Sequence, residues 1–160
     1  MIRTGIGFDL HPLVEGRKLF LGGVHFDDAK RGLDGHSDAD VVCHAIVDAM
    51  LGALALGDIG DHFPDSDPAY RDFPGVKFLE AARDAVIEKN YAIVNVDCTV
   101  MSDEVHLGER KKLMAGTIAT HLSVKPDQVS VKATTWEGFG SIGRKETMAC
   151  QAIATLSRKE

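Results

Sequence analysis

Residues 38–56 read DADVVCHAIVDAMLGALAL, a run rich in alanine and leucine with no proline and one internal glycine. That composition predicts a long helix from Asp38 to about Leu56, with Ser37 followed three places later by Asp40 as its cap. Gly57-Asp58-Ile59-Gly60 ends it, and Phe63-Pro64-Asp65-Ser66-Asp67-Pro68 has the composition of a rigid loop. Ahead of the helix, Ile2, Thr4, Ile6 and Phe8 share one face of a strand that Pro12 is expected to end. Lys18 to Leu21 with Val24 to Phe26 suggests a short strand around Gly22-Gly23. Beyond the helix the pattern predicts a second helix over Val76–Lys89, a strand over Ala92–Met101, a third helix over Leu107–Leu122 and a strand over Val129–Thr135. Alternation from Glu146 to Leu156 then sets Met148, Cys150, Ala152, Ala154 and Leu156 on one face of a last strand. This mixed order favours an α+β fold, helices packed on one face of a mixed β-sheet, as a single domain over residues 1–160.

Composition narrows the function. The formal net charge of -6 argues against broad binding to nucleic acid, which depends on cations that neutralise phosphates. It does not exclude a small phosphorylated ligand, because a unit charge pair at 4 Å is worth roughly 4 kcal/mol and a divalent metal about twice that. No apolar run reaches the roughly 18 residues of a membrane span, so no membrane partner is expected. Met1-Ile2-Arg3-Thr4-Gly5 opens into strand-like alternation with no apolar signal core, and a cytoplasmic location is the expectation. Cys43, Cys98 and Cys150 are scattered, with no Cys-x-x-Cys spacing, and read as small buried thiols.

The chemistry gathers at four places. Asp9 and His11, two apart on a strand, can face one point. His44, about two turns into the long helix, can add a second imidazole, although a structural histidine would be unremarkable there. One carboxylate and two imidazoles suit a divalent metal with a position left open for substrate or water. His36-Ser37 precedes the helix, where free N–H groups favour an anion such as phosphate, while Ser37 could equally serve only as a cap. Asp58 and Asp65 lie in loops where aspartate is common for turn reasons alone. Lys132-Ala133-Thr134-Thr135-Trp136-Glu137 leaves a strand and enters Gly138-Phe139-Gly140-Ser141-Ile142-Gly143-Arg144. The Gly-x-Gly-x-x-Gly in it is not read as dinucleotide-binding, because the residues after it look strand-like rather than helical. Its threonine hydroxyls and carboxylate could instead hold phosphate oxygens and a hard cation, or form no more than a polar hairpin.

Taken in order along nearly the whole chain, these segments resemble the 2-C-methyl-D-erythritol 2,4-cyclodiphosphate synthase family of the non-mevalonate isoprenoid pathway. The resemblance rests on Gly7-Phe8-Asp9-Leu10-His11, His36-Ser37-Asp38-Ala39-Asp40 with His44, Leu56-Gly57-Asp58-Ile59-Gly60, Phe63 to Pro68, and Lys132 to Thr135 with Glu137, Gly143 and Arg144. It implies a homotrimer with active sites between subunits, acting on 4-diphosphocytidyl-2-C-methyl-D-erythritol 2-phosphate to give the cyclic diphosphate and CMP. It further implies zinc held by Asp9, His11 and His44, magnesium or manganese held by Glu137 with the substrate phosphates, and His36 and Thr135 stabilising the transition state. Ser37, Asp58, Ile59, Gly60, Phe63, Pro64, Asp65, Ser66, Asp67 and Thr134 would surround the substrate, with Arg144 near the trimer axis.

The chain departs from the family pattern in three places. Family members usually carry Ala-x-x-Pro-Lys or Pro-Arg in the loop that cradles cytosine. Here Ser102, Val105, His106 and Leu107 stand in that loop with Asp103 and Glu104, and losing the proline is expected to loosen it. Ser141-Ile142 replaces a usual Phe-Thr pair, and Trp136 is unusual beside Thr135. Two other classes remain open from the sequence: a trimeric metal-binding protein whose catalysis has lapsed, and a metal-dependent phosphohydrolase that activates water.

Overall fold

The computed structural model describes residues 1–160. In chain order the elements are β1 (Ile2–Glu15), β2 (Phe20–Leu21), β3 (Val24–His25), β4 (Arg31–Leu33), α1 (Val41–Ala53), α2 (Ile59–His62), α3 (Gly75–Glu88), β5 (Tyr91–Met101), α4 (Arg110–Leu122), β6 (Val129–Thr134), α5 (Gly140–Gly143) and β7 (Thr147–Arg158). Five strands form one sheet in the order β4-β1-β7-β5-β6, and β2 and β3 make a separate hairpin. β7 lies antiparallel between β1 and β5, and β6 runs parallel to β5, so the sheet is mixed. Helices α1, α3 and α4 cover one face, as the sequence pattern predicts.

Glycine sets how closely α1 lies on β1. Gly5 and Gly7 face the helix, and a Cβ on Gly7 would stand 2.8 Å from Ala49 N and overlap Ala45 O, while one on Gly5 would overlap Ala49 O. Ala45, Ala49 and Ala53, four apart on α1, present the small side chains that complete this contact, and all three are buried. The apolar stripe Ile2, Ile6, Phe8 and Leu10 therefore faces away from the helices and is exposed.

Several boundaries differ from the sequence expectation. Pro12 does not end β1: it pairs with Thr147, and the strand continues beside β4 to Glu15. Proline removes only one donor, and it does so where the partner changes from β7 to β4. Helix α1 starts at Val41, capped by Asp40 rather than Ser37, since Ala39 has a left-handed φ of 55°. At its far end Leu56 N–H donates to Leu51 O and Ala55 N–H to Gly52 O, both at 3.0 Å, with Ala55 at φ 56°. This is a Schellman ending that uses alanine where glycine is usual. The third helix begins at Arg110, three residues later than expected, and a single turn, α5, precedes the last strand.

Replacing Gly7 with alanine is expected to force α1 off the sheet and cost about 3 kcal/mol of stability, measured by urea denaturation. An unchanged midpoint would show that the helix has room to spare.

Candidate active site

Asp9 and His11 extend from the helix side of β1 toward His44, which sits in the first turn of α1 rather than two turns in, because the helix starts at Val41. Asp9 Oδ2 lies 2.9 Å from His44 Nδ1 and 3.1 Å from His11 Nε2. The three side chains offer ligand atoms all within 4.8 Å of one another, so they could hold a metal ion. Tetrahedral zinc with bonds near 2.1 Å would set its ligand atoms about 3.4 Å apart, close to this spacing.

Each ring is steered from behind. The Asp34 carbonyl accepts from His11 Nδ1–H at 2.6 Å, which fixes the ring so that His11 Nε2 faces Asp9. The buried Ser37 hydroxyl is hydrogen-bonded to His44 Nε2 at 3.1 Å and also accepts from Ala39 N–H. A Cβ at Gly35 would stand 2.9 Å from His11 Cε1, so glycine leaves the ring its space. Burial pushes the Asp9 carboxyl up, but bonds from the two imidazoles and their charges outweigh it and hold Asp9 well below the usual carboxylate range. Burial likewise lowers His11, and its bond and charge interaction with Asp9 more than reverse this. An ionised oxygen ligand is therefore present at any working pH.

The trio opens into a cavity of about 450 Å³ whose walls include the sequence-predicted His36, Ser37, Ile59, Gly60, Phe63, Pro64 and Asp65. Tyr70 and Phe78 also line it and were not foreseen. Phe78 carries only a core signal in the sequence, as part of the apolar face of α3. His36 Nε2–H donates to the Asp67 carbonyl at 3.0 Å. Asp58 and Asp67 serve as caps, accepting from Asp61 N–H at 3.1 Å and Ala69 N–H at 2.9 Å. Ser66 is exposed outside the cavity wall.

The expected anion position at the start of α1 is already filled. Asp40 is fully buried, and its carboxylate accepts from Gly22, Gly23, Val42 and Cys43 N–H at 2.7–3.1 Å. The first-turn N–H groups of α1 are therefore taken by the chain's own carboxylate.

The remaining predicted residues form a second group. Ser102, Val105, His106, Leu107, Thr134 and Thr135 line another cavity of about 230 Å³, and the Thr135 hydroxyl donates to Glu137 Oε1 at 2.6 Å. The loop without proline is tied rather than loose. Ser102 Oγ accepts from Glu104 N–H at 3.1 Å and Val105 N–H at 3.4 Å, and Arg31 forks onto Glu104 at 2.6 and 3.1 Å. Arg144 pairs with Glu146 on the surface and lines neither cavity.

Sheet register keeps the two groups apart. Leu10 aligns through Ala149 and Met101 to Thr134, three strand spacings or about 14 Å away. Within one chain they cannot grip the same phosphate.

Comparison with known proteins agrees across the full fold. The YgbB family matches residues 2–157. A 2-C-methyl-D-erythritol 2,4-cyclodiphosphate synthase from Agathobacter rectalis is 50% identical over 156 residues, covering 98% of this chain and 88% of the relative. The bifunctional IspDF of Campylobacter jejuni superimposes with a TM-score of 0.95 at 40% identity, covering 100% of this chain and 43% of that one. IspF of Plasmodium falciparum, solved as a CDP complex, gives 0.86 at 36% identity over 99% of this chain and 97% of that one. Sharing half its residues with a synthase over nearly its whole length, and the backbone course of solved relatives as well, the chain belongs to the YgbB family, that of the 2-C-methyl-D-erythritol 2,4-cyclodiphosphate synthases.

Proposed function

We propose that the protein, a single domain over residues 1–160, converts 4-diphosphocytidyl-2-C-methyl-D-erythritol 2-phosphate into 2-C-methyl-D-erythritol 2,4-cyclodiphosphate and CMP in the cytoplasm, as a homotrimer with its sites between subunits. The observation that carries this reading is the split site: a histidine–carboxylate trio and a threonine–glutamate group about 14 Å apart across one sheet, each beside its own cavity. A neighbouring copy that brings its second group to this chain's first would complete the site. The helix-free face supports assembly, since Ile6 and Phe8 are 62% and 54% exposed there and contiguous apolar surface marks an interface. The CDP held by the Plasmodium falciparum relative supports a cytidine nucleotide as the ligand class. The three unpaired buried cysteines suit a reducing compartment.

The reaction needs no nucleophilic side chain. An oxygen of the 2-phosphate forms a bond to the β-phosphorus, the bond from that phosphorus to the bridging oxygen breaks, and the oxygen leaves with CMP. Because nucleophile and electrophile belong to one molecule, the protein's task is to fold the substrate and stabilise charge. Zinc at Asp9, His11 and His44, and magnesium or manganese at Glu137, would supply positive charge to the phosphate oxygens. His36, with its ring fixed by the Asp67 carbonyl, and Thr135, whose hydroxyl is bonded to Glu137, stabilise the transition state beside the oxygens that gain charge. Ser37, Ile59, Gly60, Phe63, Pro64 and Asp65 wall the phosphates and methylerythritol, bordered by Asp58, Ser66 and Asp67. Thr134 with Ser102, Val105, His106 and Leu107 holds the nucleotide, and Arg144 lies toward the three-fold axis.

Product analysis tests the reading, since cyclic diphosphate plus CMP supports it, whereas a linear hydrolysis product or none sinks it. His44→Ala is expected to abolish zinc retention and turnover while circular dichroism and sedimentation stay those of the folded trimer; full activity would remove His44 from the ligand set. Glu137→Gln is expected to lower turnover on the order of 10²-fold and blunt the response to added magnesium, with zinc content unchanged. Refolding these two variants together should restore roughly a quarter of wild-type turnover, because one site in four then draws both intact halves from different chains. No recovery would place each site within one subunit.

A further inference from the structure

The loop that departs from the family pattern carries an acid that reaches the metal-side loop. Asp103 Oδ2 accepts from Trp136 N–H at 2.7 Å, and Asp103 Oδ1 from Gly138 N–H at 3.4 Å. These two N–H groups flank Glu137, whose backbone is left-handed with φ 51°, followed by Gly138 at φ 80°. Left-handed backbone is disfavoured for a residue with a Cβ and persists where the surroundings hold it. Two amides on either side of one residue, turned toward a single carboxylate, form an anion-binding nest, and here the anion comes from the chain itself. The adjacent acid takes no part, since Glu104 is engaged by Arg31.

We propose that Asp103 is a positioning residue: by filling the nest around Glu137 it fixes the left-handed turn that aims the Glu137 carboxylate, with the Thr135 hydroxyl bonded to it at 2.6 Å, toward the phosphates. It also ties the cytosine-side loop to the loop that bears the second cation ligand, so the two move as one unit. The catalytic consequence rests on the function proposed above, whereas the clamp itself does not.

Trp136, the chain's one tryptophan, is a built-in reporter, since its own N–H makes the shorter bond and its ring lies over Gly140. In Asp103→Ala, acrylamide quenching of its fluorescence is expected to rise about twofold as the turn loosens. Mn²⁺ binding to the CDP-loaded protein, followed by electron paramagnetic resonance, should weaken about tenfold, and kcat should fall on the order of 10²-fold with KM within about threefold and zinc unchanged. Asp103→Asn retains one accepting oxygen and should fall between wild type and alanine in every readout. Unchanged quenching would overturn the clamp, and raised quenching with unchanged Mn²⁺ binding would overturn the positioning role. A wild-type protein that makes no cyclic product sinks the proposed reaction alone, because quenching and Mn²⁺ binding are read without turnover.

Discussion

The contact of α1 with the backbone of β1 is the constraint on which the rest of the molecule depends. Gly5, Gly7, Asp9 and His11 alternate along one face of the strand, so the half that receives the helix is bare and the half beyond it carries a carboxylate and an imidazole. Only at this separation does a histidine in the first turn of α1 come within 2.9 Å of the Asp9 carboxylate. A helix held off by the side chains that Gly5 and Gly7 lack would sit farther from the sheet and would carry His44 away from Asp9. The convergence of Asp9, His11 and His44 is therefore a property of the glycine–alanine interface as much as of the three side chains.

Asp40 fixes the other coordinate of His44, its position along the helix axis. A buried carboxylate is tolerable only when its oxygens are saturated, and here four backbone amides and the Cys43 thiol donate to it. Two of the amides belong to Gly22 and Gly23, so the β2–β3 hairpin is pinned to the start of α1 by the residue that caps the helix. Burial and then the charge of Asp40 push the Cys43 thiol up, which keeps it protonated and a donor. Asp38 extends the same tie to α3 by accepting from Gly75 N–H at 2.7 Å.

Periodicity made β1, β5, β6, β7, the three long helices and the shared face of Asp9 and His11 legible from the sequence, whereas β4 at Arg31–Leu33 read only as a glycine-rich stretch. The ends of α1 were not legible, for local reasons. The left-handed positions that bound it, Ala39 and Ala55, are alanines, and only tertiary packing can hold alanine there. Ser37 looked like the cap because its spacing to Asp40 suits one, yet its hydroxyl is spent on His44 and Ala39 N–H. The loop from Ser102 to Leu107 looked loosened without its proline, although Ser102 and Glu104 supply ties that a one-dimensional pattern does not display. The separation of the two site groups was invisible for a topological reason. β7, last in the chain, inserts between β1 and β5, and no spacing along the sequence announces that distance.

That insertion constrains how copies could assemble if the proposed sites lie between subunits. The two groups occupy opposite flanks of the same sheet, so the surface that offers the trio and the surface that offers Thr135 and Glu137 are different surfaces of one chain. In a two-fold dimer each residue i meets a residue j of the partner and j meets i, so such a dimer completes the site only if both groups lie within one shared patch. With the two groups on different surfaces, completion takes a head-to-tail contact, and head-to-tail contacts either close into a ring or continue as a filament. The exposed apolar face of the sheet favours closure, because a small ring can turn Ile6, Phe8 and Leu10 of every copy toward a common centre, whereas an open filament leaves no such enclosed core.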